Sequence, residues 1–282
     1  MTTPRASIII PAHNEEAVIG ELLDHLLADT AEGEFEILVL ANGCTDGTVA
    51  VAQRYAPAVR VLDLPEPSKR LALKRSDTET DVFPRLYVDG DVDLGSADAR
   101  ALVAALEAGA LAASPVRVIP RDDASFVVRA FYDVWEELPN VREGSFGRGV
   151  VAVSKAGFER IRELPPMMND DLAMTAAFSP EERVIVPEAR VRIWPPRTAR
   201  DLVRRRVRVS TGNEQFDQAG PRSDALTTSR RDLLAIAKNR PTIAPKIAVF
   251  IGVGFVSKVA ARRRTRAGDY TTWLRDESSR TR

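Results

Sequence analysis

The chain has 282 residues, with 40 Lys and Arg against 40 Asp and Glu. The formal net charge is zero, and no global field favours nucleic acid. A single cysteine, Cys44, excludes an intramolecular disulfide and a zinc ribbon; with only two histidines, any metal site must be mostly carboxylate.

The length permits one large or two small domains with a proper core. Met1 to Arg5 runs straight into a strand-like segment with no apolar signal region, and no stretch reaches the roughly 18 apolar residues of a membrane span. A cytoplasmic protein is the expectation. Charge is unevenly placed: Arg190 to Arg208 and Arg262 to Arg266 are strongly basic.

Ser7 to Ile10 reads as a buried strand stopped by Pro11, followed by a helix from Glu15 to Leu27 with Val18, Ile19, Leu22, Leu23 and Leu26 at helical spacing. Next come a strand at Ile37–Leu40, a helix from about Thr45 to Tyr55 that Asp46 can cap, and a strand at Val59–Leu62. A helix over Lys69–Arg75 and a strand at Leu86–Val88 complete the series. This regular alternation implies βαβ units, hence an α/β fold with a mainly parallel sheet and helices on both faces. Ligands of such sheets bind beyond the carboxyl ends of the strands. Three polar loops leave those ends: Pro11 to Glu16, Ala41 to Gly47, and Asp89 to Asp93.

The pattern changes after a helix over Ala97–Ala110. A strand at Val116–Ile119 precedes an aromatic helix, Phe126 to Leu138, whose ring face reads as core. A glycine-rich loop, Gly144 to Gly149, enters the strand Val150–Val153, and Ser154 is placed to cap the next helix. The acidic loop Pro165 to Asp171 runs into a helix from about Leu172; Val184 to Trp194 reads as one or two strands broken at Pro187. A basic helix starts at Thr198. From Ser229 a helical tail carries the apolar run Ile247–Val256 followed by Lys258 and Arg262–Arg264, which suits packing on a core edge or contact with a membrane surface. Internal packing is the commoner use of such a helix. Three segments are expected: 1–115 as a ligand-binding half, 116–228 as the second half of the same domain, and 229–282 as the tail.

The most informative stretch is Arg85 to Asp93, in which an apolar run ends in Asp89, Asp91 and Asp93. In an extended chain these alternate residues point the same way. Oxygen donors alone suit Mg²⁺ or Mn²⁺, which is usually completed by substrate phosphates. An acidic turn reversed at Gly90 is the plainer reading. Neither a G-x-G-x-x-G loop nor a Walker pattern is present, so bound phosphates would need a metal and basic side chains, and Lys69, Arg70, Lys74 and Arg75 stand near enough in sequence. Asp170 and Asp171 form a second carboxylate pair, which either complements a helix N-terminus or supplies a general base.

Taken together, these motifs resemble the family 2 glycosyltransferases. Ile8 to Glu16 is similar to the family's opening strand and nucleoside-contacting loop, and Ile37 to Thr48 to its second strand and "DDGSTDGT" loop, with Ala41 and Asn42 in place of the acidic pair. Tyr87 to Asp91 resembles the strand ending in D-x-D. Gly147 to Ser154 is similar to the acceptor-side loop, and Asn169 to Leu172 to the motif that supplies the base. Arg205 to Gly212 stands where processive members carry Q-x-x-R-W, but without its Gln and Trp.

The resemblance implies a GT-A type Rossmann-like fold and transfer of a single sugar from a nucleotide-diphosphate sugar to an acceptor hydroxyl, with inversion. It implies Mg²⁺ or Mn²⁺ on Asp91, with Asp89 beside it and near the ribose, and Asp171 as base with Asp170 as its substitute. Donor and acceptor contacts would come from Pro11, His13, Asn14, Glu15, Asn42, Lys69, Lys74, Gly149 and Arg208. A nucleotidyltransferase and a non-catalytic scaffold of the same fold are the competing readings. The implied partners are a nucleotide-sugar donor and a hydroxyl acceptor, with peripheral contact at the inner membrane face as a further use of the tail.

Overall fold

A computed structural model describes residues 3–164, 170–219, 227–267, 276 and 278–280. They fall into two compact units. The first comprises Met1–Ile119, Arg148–Leu164 and Ala177–Ile193; the second comprises Pro120–Gly147, Pro165–Ala176 and Trp194–Arg282. Of the acidic loop, Pro165 to Asn169 lie outside the described residues.

The first unit is built on one eight-stranded sheet. Its parallel half contains β1 (Ala6–Ala12), β2 (Phe35–Asn42), β3 (Val59–Leu64) and β4 (Arg85–Val88). Consecutive β-branched and leucine residues fit strands covered on both faces. Period-two alternation then divides them. Ile8, Ile10, Ile37 and Val39 pack on one face with Leu22, Leu23 and Leu26 of α1 (Ile19–Leu27) and with Leu102 and Leu106 of α4 (Ser96–Glu107). Ile9, Leu38 and Leu40 pack on the other with Ala72 of α3 (Lys69–Ser76). The expected α/β sheet with helices on both faces is present. Between β2 and β3 lies α2 (Thr48–Gln53), preceded by Asp46, whose Oδ1 accepts from the Thr48 N–H at 3.0 Å.

Pro11 does not stop β1 as expected. It continues the strand opposite Leu40, while pairing with β4 ends at Ile9. Proline's missing N–H is tolerated where no neighbour on that side requires it.

The other half of the sheet holds β5 (Val92–Leu94), β6 (Ala112–Val118), β7 (Val150–Val153) and β8 (Arg183–Ile193), in the overall order β3-β2-β1-β4-β7-β6-β8-β5. β8 is one strand rather than two pieces. Pro187 is absorbed in a bulge, because pairing with β6 passes from Pro115 opposite Val186 to Val116 opposite Arg190. After the bulge, Asp98 of α4 accepts from the Arg190 N–H at 2.7 Å. Only Asp89, Gly90 and Asp91 separate β4 from β5, although these strands stand four places apart in the sheet. Those residues reach at most about 14 Å, whereas four flat strand spacings need about 19 Å. The sheet therefore curls until its β5 edge returns to β4. Ser154 caps α7 (Lys155–Arg162) as expected, accepting from the Gly157 N–H at 3.1 Å.

The second unit is helical: α5 (Phe126–Trp135), α6 (Pro139–Glu143), α8 (Asp170–Ala176), α9 (Ala199–Ala219), α10 (Arg230–Asn239) and α11 (Lys246–Arg266). The α5 ring face is core only in part: Phe131 and Tyr132 are buried, and Phe250 of α11 stacks on Phe131 at 5.0 Å, whereas Phe126 at the start of the helix is 61% exposed. Leu138, Val141, Ile236 and Ile243 close a second small cluster. No described helix is long and apolar enough to cross a membrane.

Candidate functional site

The loops leaving β1, β2 and β4 meet within the first unit. His13 Nδ1 lies 2.6 Å from the Asn42 carbonyl, which can only accept, so Nδ1 donates its proton there. Asn14, in the left-handed region at φ 55°, accepts through Oδ1 from the Thr45 N–H at 2.7 Å. The Glu15 N–H donates to Thr48 Oγ1 at 2.7 Å, and Glu16 Oε2 accepts from the Gly47 N–H at 2.9 Å. Asn42, only 2% exposed, donates through Nδ2 to the carbonyls of Ala12, at 2.9 Å, and Leu40, at 3.3 Å. An aspartate there would set a carboxylate against two carbonyl oxygens. The Asn42 departure thus has a local cause: its amide ties the first two loops together.

The β4 turn joins them. A Cβ placed on Gly90 would lie 3.4 Å from Glu15 Cγ and 3.6 Å from both Ala12 Cβ and the Pro11 carbonyl oxygen, so this turn packs on the first loop. Ser68 caps α3 by accepting from the Leu71 N–H, which places Lys69 in the helix's first turn. Lys69 Nζ then reaches Asp89 Oδ1 at 2.7 Å. On the far side, the Asp89 N–H donates to the Gly149 carbonyl at 2.8 Å. Gly149 has φ +66°, and a Cβ on it would stand 2.4 Å from Val92 Cγ1 and 3.5 Å from Asp89 Oδ2. Glycine is required there on both counts. Pro11, His13, Asn14, Glu15, Asn42, Lys69, Asp89, Asp91 and Gly149 are thereby gathered at the carboxyl ends of neighbouring strands.

Lys74 is not drawn into this group by any described contact. It is exposed in the last turn of α3, about 140° round the helix from Lys69.

Asp93 corrects the expectation that three alternate aspartates share one side. The chain is not extended through them: the Val92 N–H turns back to the Asp89 carbonyl at 3.4 Å, and β5 begins. Asp93 pairs instead with His25 Nδ1 on α1 and stands 4.0 Å from Arg192. Glu21, His25 and Asp93 bring ligand atoms within 4.8 Å of one another, a grouping that no short sequence spacing signals. Sequence reasoning also missed Arg148, 3% exposed beside Gly149, which donates to the Pro115 carbonyl at 3.0 Å. Burial, with Arg117 nearby, lowers its pKa to about 9. Its only sequence signal is an arginine set between two glycines.

In the second unit, Asp170 and Asp171 occupy the first turn of α8. Asp171 accepts from the Gly147 N–H through Oδ2 at 2.6 Å and from the Leu172 N–H through Oδ1 at 2.8 Å, so its carboxylate is fixed in orientation. Arg208 lies half-buried in the third turn of α9.

Residues 7–80 match the family model described as "Glycosyl transferase family 2". The family resemblance holds. A PGL/p-HBAD biosynthesis glycosyltransferase of Mycobacterium tuberculosis is 32% identical over 96 residues, covering 34% of this chain and 34% of that protein. A dolichyl-phosphate beta-glucosyltransferase of Drosophila melanogaster is 39% identical over 72 residues, covering 21% and 22%. The chain thus spans about a third or less of the curated relatives it matches. In fold, the chain is similar to a mannosyltransferase from Pyrobaculum calidifontis solved with GDP-Man and Mn²⁺. The TM-score is 0.64 at 18% identity, over 95% of this chain and 89% of that one. The GT-A glycosyltransferase architecture expected from the motifs is the one observed.

Proposed function

We propose that this protein is a glycosyltransferase that moves one sugar from a nucleotide-diphosphate sugar to an acceptor hydroxyl, inverting the anomeric carbon. The observation that carries the reading is the meeting of the Pro11–Glu15 loop, the Asn42 tie and the Lys69–Asp89 pair at the Asp89-Gly90-Asp91 turn. The solved fold neighbour is a mannosyltransferase in complex with GDP-Man and Mn²⁺, which supports the donor class.

The donor set suits a hard cation. Asp91, with the second oxygen of Asp89, would hold Mg²⁺ or Mn²⁺, and the remaining positions would fall to diphosphate and water. When bound, such an ion supplies charge neutralisation to the departing diphosphate. The chain's own groups do the rest. Lys69 neutralises and orients Asp89 beside the ribose. The stitched loops, with Asn14 and His13, receive the nucleoside without reorganising. Arg208 serves the diphosphate, and Asp171, held by two backbone N–H groups, removes the proton from the acceptor hydroxyl as it attacks.

A panel of nucleotide-sugars supplied with Mn²⁺ should release nucleoside diphosphate rather than pyrophosphate. Asp91→Ala and Asp171→Asn should each lower the rate by about 100-fold or more, and only Asp91→Ala should weaken metal-dependent donor binding in calorimetry. Wild-type rates in both variants would remove the assignment.

A further inference from the structure

α11 contains six lysine and arginine residues and no acidic one, in a chain whose net charge is zero. Its inner side is committed to the second unit: Phe250 stacks on Phe131, and Val253, Ser257 and Ala261 are buried. On the opposite side, Ile251, Phe255 and Val259 follow at four-residue steps and are 54%, 68% and 37% exposed; Val256 beside them is 52% exposed. Residues four apart share a helix face, so these side chains form one ridge. Gly252 adds no bulk to it, since a Cβ there would meet nothing within 4 Å.

The same face continues into the last turns with Lys258, Arg262, Arg263 and Arg266, all exposed. Arg262 lies 3.9 Å from Glu214 of α9, and Glu214 and Asp217 line one recess with Lys258, Arg262 and Arg266, so this end sets the four cations Lys258, Arg262, Arg263 and Arg266 against two carboxylates and remains net positive. The outer face of α11 is therefore apolar for about two turns and cationic in the turns that follow. Its exposed aliphatic and aromatic ridge contains no acceptor for the neighbouring guanidinium groups.

We propose that this face docks on an anionic phospholipid surface, the helix lying in the plane of the interface. The charge argument selects this occupant. A lipid surface offers hydrocarbon and phosphate side by side, which is the complement of an apolar ridge continuous with guanidinium groups. A second copy of the chain would present the same net-positive face. No described helix can cross a bilayer, so contact would be peripheral. The packed inner side explains why the helix is already formed before it meets lipid.

The test is sedimentation of the full chain with vesicles of phosphatidylcholine alone or mixed with phosphatidylglycerol. The protein should sediment with the mixed vesicles, and high salt should weaken that binding. Ile251→Asp with Phe255→Asp should lower partitioning about tenfold or more, as should Lys258→Glu with Arg263→Glu and Arg266→Glu. Both sets change exposed side chains, and unchanged circular dichroism and melting would verify the fold. Equal sedimentation of wild type and both variants would overturn the proposal. So would absence from both kinds of vesicle, including the case in which light scattering detects a dimer that Phe255→Asp abolishes.

Discussion

Two glycines at the strand-end site make opposite demands. Gly90 has ordinary van der Waals room for a Cβ against Glu15 and Ala12, whereas Gly149 combines φ +66° with a 2.4 Å approach to Val92. Gly90→Ala should therefore fold with a melting temperature near that of the wild type. Gly149→Ala should lose about 1–3 kcal/mol and weaken nucleotide-sugar binding, because the strained backbone bears the carbonyl that receives the Asp89 N–H. Thermal melts and donor titrations of the two variants check this, and equal behaviour would contradict the assigned role of Gly149. Asn42 teaches a related point. Its amide serves two carbonyls, so a departure from the family pattern is here a loop fastening.

Among the elements, α3 links local capping to the site. Ser68 accepts the Leu71 N–H, and the next residue is the lysine that meets Asp89. Ser68→Ala should cost about 1 kcal/mol of stability and weaken donor binding in the same titration, by loosening the turn that carries Lys69. The parallel half of the sheet was legible because Ile8–Ile10 and Ile37–Leu40 are short buried runs and Val59–Leu62 a partly buried one, each bounded by turn residues. Less legible were events set by neighbours at long range. Pro11 remains in β1 because β4 stops pairing earlier, and Pro187 is carried through β8 by a bulge against β6. Neither partner can be read from the local string. Asp93 misled for the same reason: alternate spacing implies one side only if the strand continues, and here it turns. The tail's packing was legible from its apolar spacing, but the exposed half of that helix needed the positions of α5 and α9.

At the scale of the molecule, pH acts through buried groups. Burial pushes the Tyr87 hydroxyl up to about 12, with Arg85 opposing the shift. An unfolded tyrosine ionises near pH 10, so the unfolded chain releases this proton first as pH rises. The contribution is fully present below about pH 10 and is lost as pH climbs towards 12, amounting to at most about 3 kcal/mol. Denaturant titrations between pH 9 and 12 should show a steeper loss of stability in the wild type than in Tyr87→Phe. Parallel curves would place the phenol in contact with water.

The turn between β4 and β5 is also a clasp. Three residues join two strands that stand four places apart, which they can do only while the sheet remains rolled. Its composition answers to chemistry, but its length answers to closure. Single substitutions at Asp89 or Asp91 leave the span intact. Removing one residue would pull the β5 edge out of step with β8, and adding one would slacken the grip on the carboxylates. The tolerance of this turn to exchange, and its intolerance of any change in residue count, are consequences of the same strand order.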